Sequence, residues 1–102
     1  MPLFMLKKEV FALVKSGKKN VEVRKADGPW KNTKAGDTAT IACGPERISK
    51  KVKAVHKGTL ENILSKVDYQ RADPEAKSKD AAVKALKALN PDAKDFVAYE
   101  LS

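Results

Sequence analysis

Turn-forming sequences divide the first half of the chain into short segments, and this feature limits its possible folds more than any other. Glycine or proline recurs at Gly17, in Asp27-Gly28-Pro29, in Ala35-Gly36-Asp37 and in Gly44-Pro45. These residues interrupt helices and strands because they favour turn conformations that regular elements do not adopt. The first half is therefore predicted to form several short strands joined by turns.

The segments between the turns have the residue patterns of strands. Residues 20–25 alternate, so that Val21 and Val23 fall on one face, opposite a polar face formed by Asn20, Glu22 and Arg24. Further strands are predicted over residues 2–6, 38–43, 48–56 and 96–101. The lysines of residues 48–56 are interpreted as protecting an edge strand from pairing with another chain.

Helical periodicity appears in three segments. Residues 8–15 place Val10, Leu13 and Val14 on one face, and Gly17 is suited to end that helix in the left-handed region. Thr59 is predicted to cap a second helix that runs to about residue 66.

The third predicted helix precedes the last strand. Asp73-Pro74-Glu75 is a strong helix start, since it supplies an N-cap acid, a first-turn proline and a further acid. The helix begins there or restarts at Ser78, and Asn90-Pro91 ends it. Its predicted buried stripe consists of Val83, Leu86 and Leu89.

These elements together predict an α+β fold. We expect a small mixed sheet, curled or closed into a β-barrel, with two to three helices at its flank. At 102 residues, the chain is expected to be one domain that spans residues 1–102.

The composition disfavours several classes of protein. An apolar content of 42% with 33% charged residues is typical of a folded globular protein and not of a disordered one. The longest apolar runs, residues 4–6 and 11–14, are too short to span a membrane, and the start of the chain does not resemble a signal peptide. The single Cys43 cannot form an internal disulfide, so a cytoplasmic protein is expected.

The positive charge is concentrated in the first half of the chain. Residues 1–57 hold 14 Lys and Arg against five Asp and Glu, whereas residues 58–102 hold seven against eight. A one-sided basic field attracts polyanions and speeds their encounter with the protein. The distribution predicts a polyanionic partner for the first half.

Lysine supplies most of this charge. Of the 21 basic residues, only Arg24, Arg47 and Arg71 are arginines. Lysine acts as a mobile point charge, while arginine forms the planar fork that reads guanine. The mixture favours contacts with a nucleic-acid backbone over base reading, and a lysine-rich surface without any partner is the alternative.

A motif lies within the basic half. The chain reads Gly17-Lys18-Lys19-Asn20-Val21-Glu22-Val23-Arg24, and Ala35-Gly36-Asp37 follows after a basic loop. This sequence resembles the signature of the ASCH family in the PUA-like superfamily, which runs Gly-Lys-Lys-Thr-hydrophobic-Glu-hydrophobic-Arg and then, after a basic loop, Gly-Asp. The order of helices and strands fits as well, so the resemblance covers nearly the whole chain.

The resemblance implies a small β-barrel with helices at one side, a charged cleft and RNA as the partner. The matching cleft positions are Lys19, Glu22 and Arg24, with Lys18 and Asn20 beside them. Asn20 departs from the threonine that is commoner in the family. Some members act enzymatically on nucleosides or RNA, so the resemblance leaves catalysis open.

The same residues permit two interpretations without the family. Glu22 and Arg24 lie two positions apart on one strand face, where they form either a surface ion pair of little energy or part of a cleft. In the cleft, lysine and arginine hold phosphate while Glu22 limits or orients what enters.

An amidohydrolase is the leading enzymatic alternative. Small bacterial relatives hydrolyse the amide of acetylcytidine, and the resemblance assigns Lys19, the position of Glu22 and a distant acid such as Glu75 to that reaction. Those relatives have a hydroxyl where this chain has Glu22, whose carboxylate stabilises the charged form of a neighbouring lysine. Glu75 is alternatively a first-turn acid of the last helix.

A ribonuclease is the less favoured enzymatic alternative. The chain offers only His56 as a histidine base, and a lone histidine in a lysine-rich strand is typically structural. Cys43 and His56 are too few ligands for a zinc site, and no phosphate-binding glycine loop of the Walker type is present. No metal or cofactor is therefore expected.

Trp30 is a further candidate contact for nucleic acid. It follows Gly28-Pro29 and precedes Lys31, and a stacking aromatic beside basic residues commonly holds single strands. Packing of the indole under the loop or over the barrel is the alternative. The full predicted interface is completed by lysines with phosphate-binding roles, namely Lys15, Lys18, Lys31 and Lys34.

Overall fold

The structure, a computed structural model, describes residues 3–28 and 30–102. Five strands and four helices are described, in the order β1 (Leu3–Met5), α1 (Lys8–Lys15), β2 (Val21–Lys25), β3 (Thr38–Cys43), β4 (Glu46–Gly58), α2 (Leu60–Lys66), α3 (Tyr69–Ala72), α4 (Lys79–Leu89) and β5 (Phe96–Leu101). Pro2, the start of the first predicted strand, and Pro29, part of a predicted turn, lie outside the described residues.

The five strands form one mixed sheet in the order β1-β3-β4-β5-β2. β1 runs parallel to β3, and all other neighbours are antiparallel. The register of β4 against β5 shifts between Val52 and Ala54, and such a bulge bends a strand and increases its twist. The sheet is therefore a curled half-barrel with flanking helices, which confirms the predicted α+β class.

β4 lies in the middle of the sheet. Its first part, from Glu46 to Lys51, pairs with β3, and its second part, from Val52 to Gly58, pairs with β5. The interpretation of β4 as an edge strand is therefore wrong, because β4 lies between β3 and β5 in the strand order and pairs with both.

Each face of the sheet carries a hydrophobic core. Val21, Val23 and Ala98 pack beneath α2 and α4, while Phe4, Tyr99 and residues of α1 fill the opposite face. β2 and β5 are buried on both faces, so both depart from the half-exposed alternation expected of a surface strand. The polar face of β2 consequently points into a core.

The helix boundaries follow local capping. The Ser78 side chain accepts a hydrogen bond from the backbone N–H of Ala81, and α4 therefore restarts at Ser78 instead of beginning at Asp73. The buried stripe of α4 includes Ala82 and Leu86, whereas Leu89 is 72% exposed, contrary to prediction. The one-turn helix α3 was not predicted as a separate element.

Other local expectations are confirmed. Gly17 follows α1 with a φ of 84°, a conformation that residues with a side chain rarely adopt. The Thr59 side chain accepts from the backbone N–H of Asn62 and caps α2. Within the described ranges, none of the helices combines the length and the apolar character needed to cross a bilayer.

Candidate nucleic-acid interface

A buried charge cluster lies at the start of β2. The Glu22 carboxylate accepts a 2.8 Å hydrogen bond from Arg24 Nη2 through one oxygen, and its other oxygen lies 3.4 Å from Lys19 Nζ. The Lys19 and Glu22 side chains are only 8% and 7% exposed. This triad, called the Glu22 cluster, thus brings together the three predicted cleft residues.

Lys19 reaches the cluster from the turn before β2. Its backbone N–H donates to the carbonyl of Leu13, which folds residues 17–19 back against the end of α1. From there Nζ donates a 2.6 Å hydrogen bond to the carbonyl of Ala72, the last residue of α3. A lysine is favoured at this place because helix C-terminal carbonyls lack partners within the helix.

Arg24 spans the opening of the half-barrel. Its guanidinium carbon lies 5.2 Å from the ring centre of Phe4 on β1 and 5.0 Å from that of Trp30. Nη2 also approaches the carbonyl oxygen of Met5 at 3.5 Å. β1 and β2 are the two ends of the strand order, so Arg24 connects the two open edges of the sheet.

Trp30 takes the packing position that the sequence left as an alternative. Its Nε1 donates a 3.0 Å hydrogen bond to the carbonyl of Lys25, and its ring is tilted against Phe4 at a centroid distance of 6.1 Å. The ring also covers Gly28, where an added β-carbon would lie 2.3 Å from it. The indole is half-buried and held on several sides.

A second polar cluster lies on the helical side of β5. The Glu100 carboxylate contacts His56 Nε2 at 2.6 Å and Arg71 Nη1 at 2.9 Å. Arg71 Nε donates a 2.8 Å hydrogen bond to Asn20 Oδ1. The hydrogen bond from His56 is the largest cause that lowers the pKa of Glu100, and Arg71 lowers it further.

A pocket of about 190 Å³ lies between the two clusters. Lys19, Asn20 and Arg71 line it on the side of the turn and α3, and Lys50 and Lys53 of β4 line it on the sheet side. No carboxylate among the described residues lies within ion-pair distance of Lys50 or Lys53. The pocket therefore combines two unpaired ammonium groups with a fixed guanidinium.

A second, larger pocket of about 680 Å³ lies at the loop that leads into β3. Its lining includes the predicted phosphate contacts Lys31 and Lys34, and Lys57 of β4. All three lysines are exposed. β4 thus contributes lysines to both pockets, Lys50 and Lys53 to the first and Lys57 to the second.

The remaining predicted residues lie around these pockets. Lys18 is exposed, and Lys15 forms an exposed ion pair with Glu46 at 3.5 Å. Glu75 is exposed in the turn before α4 and forms no hydrogen bond or ion pair with Lys19 or Glu22. It also precedes the N-cap of α4, so the expectation that it is a first-turn acid is wrong; Asp80 has that position.

Sequence reasoning missed Lys50, Lys53 and Arg71 as pocket residues. The lysines were assigned to an edge strand, and Arg71 stood in a segment without a recognised motif. The excess of lysine in residues 48–56 was the available signal. No group of three or more potential metal ligands occurs within residues 3–28 and 30–102.

Comparisons with known proteins support the fold. No protein-family model and no curated protein sequence matches the chain. Among solved structures, the hypothetical protein PH0355 is 26% identical with a TM-score of 0.81, and the alignment covers 100% of this chain and 98% of that one. Protein PF0455 from Pyrococcus furiosus is 21% identical with a TM-score of 0.74, over 99% and 94% of the two chains.

A third similarity identifies the type of fold. The ASCH protein from Zymomonas mobilis is 17% identical with a TM-score of 0.71, and the alignment covers 98% of this chain but 65% of that protein. The chain is thus a curled mixed α+β half-barrel with flanking helices. More particularly, it has the ASCH-type fold of the Zymomonas mobilis protein.

Proposed function

We propose that this chain binds RNA, or another nucleic acid, through the basic surface around the 190 Å³ pocket. The observation that carries the proposal is the position of Lys50 and Lys53, which line the pocket and have no carboxylate partner among the described residues. Lysines that are not neutralised by the protein are available to replace the counterions of phosphates.

The predicted phosphate contacts extend this surface. Lys18 lies at the turn beside Lys19, and Lys31 and Lys34 lie at the larger pocket. The Glu22 cluster adds one net positive charge, because it combines two cations with one carboxylate, and its member Lys19 lines the pocket. We further propose that residues 1–102 act as one ASCH-type domain in the cytoplasm.

Binding is favoured over hydrolysis of a modified nucleoside by the contacts of Glu22. Its carboxylate bonds to Arg24 and contacts Lys19, while Lys19 also donates to the Ala72 carbonyl. Both interactions engage the Lys19 nitrogen, the atom that would have to accept a proton from a nucleophile in that reaction. Glu75, the distant acid of that alternative, is exposed in the turn before α4 and is not among the partners that the structure gives to Lys19 and Glu22.

Fluorescence anisotropy with labelled single- and double-stranded RNA and DNA tests the proposal. Binding should weaken as salt rises, and Lys50→Ala/Lys53→Ala should reduce the logarithmic salt slope for a single strand by about 1.4. Lys84→Ala/Lys87→Ala is the matched control, since both lysines are exposed on α4 and the charge removed is the same. Absence of binding to all four probes at low salt would refute the proposal.

A further inference from the structure

The structure assigns a more specific ligand to the pocket between the two clusters: a phosphate monoester, such as the terminal phosphate of an RNA strand. This inference rests on the proposed nucleic-acid function for its biological source, but its physical basis is the pocket alone. The relevant residues are the two unpaired lysines Lys50 and Lys53, the fixed Arg71, and Asn20.

The pocket is large enough for a single phosphate group but not for a whole nucleotide. Its volume of about 190 Å³ is below the roughly 300–1,000 Å³ of pockets that enclose a drug-sized molecule. It can therefore accept a phosphate group with its nearest waters, while the attached sugar and base remain outside. A strand that binds through an internal phosphate must both enter and leave the pocket, whereas a terminal phosphate enters it once.

The charge of the pocket matches a dianion better than a diester. A phosphate monoester carries a charge of about −1.5 to −2 at neutral pH and offers three acceptor oxygens, whereas an internal diester carries a single negative charge. The unpaired ammonium groups of Lys50 and Lys53 supply two positive charges. Buried Lys19 adds to the positive potential, although its contacts with Ala72 and Glu22 already engage its ammonium group.

The guanidinium of Arg71 is oriented before any ligand arrives. Nε donates to Asn20 Oδ1, and Nη1 contacts Glu100. Nη2 forms no hydrogen bond with a described residue, so its N–H groups are available to an oxyanion. A donor fixed in advance loses little conformational freedom on binding, and this favours affinity.

The bulge in β4 brings the two lysines to the same pocket. In a regular strand, residues three positions apart point to opposite faces, so Lys50 and Lys53 would diverge. The register shift between Val52 and Ala54 makes Lys53 the additional residue of β4. Bulges re-aim side chains in this manner next to functional sites, and here the bulge adds a second ammonium group to the pocket lining.

The test compares oligoribonucleotides of one sequence that differ only at their ends. Probes carry a 5′-phosphate, a 3′-phosphate or hydroxyls at both ends, with the fluorescent label at an internal base. We expect either the 5′-phosphate probe or the 3′-phosphate probe to bind about tenfold more tightly than the probe with two hydroxyl ends. The reason is that a terminal phosphate adds charge-assisted hydrogen bonds. Lys50→Gln/Lys53→Gln should abolish this difference, while Lys84→Gln/Lys87→Gln should retain it.

Inorganic phosphate and a nucleoside monophosphate, followed by amide chemical shifts, separate the two proposals. Shifts at Asn20, Arg71 and β4 that disappear in Lys50→Gln/Lys53→Gln support the pocket assignment even if no oligonucleotide binds. If oligonucleotides bind with equal affinity whatever their ends, and neither small phosphate shifts these amides, the pocket assignment is wrong while the nucleic-acid proposal stands. Unchanged unfolding midpoints verify that the variants are folded.

Discussion

The Glu22 carboxylate lies 2.8 Å from the Arg24 guanidinium on a strand that is buried on both faces. Lys19 contacts the other carboxylate oxygen, so one acid compensates two cations where water has little access. Removing one member of a buried ion pair leaves a charge without compensation, which costs far more than the loss of a surface pair. Folding and the basic surface therefore both depend on Glu22.

Glu22→Gln should accordingly lower the free energy of unfolding by about 3–5 kcal/mol, measured by urea denaturation. Glu46→Gln is the matched control, because Glu46 forms an exposed ion pair with Lys15 and its loss should cost less than about 1 kcal/mol. Equal effects of the two substitutions would contradict the buried character of the Glu22 cluster.

Glu100→Gln should make the free energy of unfolding less dependent on pH in the acidic range. His56 and Arg71 hold the pKa of Glu100 below its usual value of 4.5, so its contribution is present above that pH and is lost as the pH falls through the lowered pKa. At neutral pH the variant should lose about 1–3 kcal/mol, because charged hydrogen bonds are removed. The difference from the native chain should shrink below pH 4.5, as measured by urea denaturation across pH.

Alkaline titration should show that Tyr99 ionises at an unusually high pH. Burial raises its pKa to about 12, although Thr33 and Arg24 act in the opposite direction. The contribution of Tyr99 to stability is complete below pH 10.0, the usual value, and is lost as the pH rises to about 12. Tyrosinate absorbance should contain a component near pH 12 that Tyr99→Phe removes, and denaturant should move this component to about pH 10.

Gly28→Ala should displace the Trp30 ring. The added β-carbon would lie 2.3 Å from the indole, which Lys25, Phe4 and Arg24 already hold in place. We expect a loss of about 1–3 kcal/mol, typical of overpacking, together with a red shift in tryptophan emission. Trp30 is the only tryptophan, so the emission reports on this site alone. Native emission and stability in the variant would rule out the packed position.

The sequence predicted the local features of the fold because those features depend on neighbouring residues. Alternation placed Glu22 and Arg24 on one face of β2, and the turn glycines separated the strands. Capping is equally local, yet two starts competed for α4, and the side chain of Ser78 prevailed over Asp73. Leu89 is exposed because it is the last residue of α4.

The pocket could not be predicted from the sequence, because it depends on contacts between distant parts of the chain and not on neighbouring residues. Arg71 meets Asn20 across 51 positions, and Lys19 meets Ala72 across 53. The bulge at Lys53 has no marker such as glycine or proline at that residue. Strand parity alone would place Lys50 and Lys53 on opposite faces.

The continuity of β4 has a consequence for how the protein unfolds. One strand of 13 residues supplies hydrogen bonds to β3 at its start and to β5 at its end, so opening of either half of the sheet disturbs a strand that the other half also uses. The amides of β4 that pair with β5 should therefore exchange with deuterium only during global opening, whereas the last turn of α4 frays independently. The two cores are also linked through β5, which contributes Ala98 to one core and Tyr99 to the other.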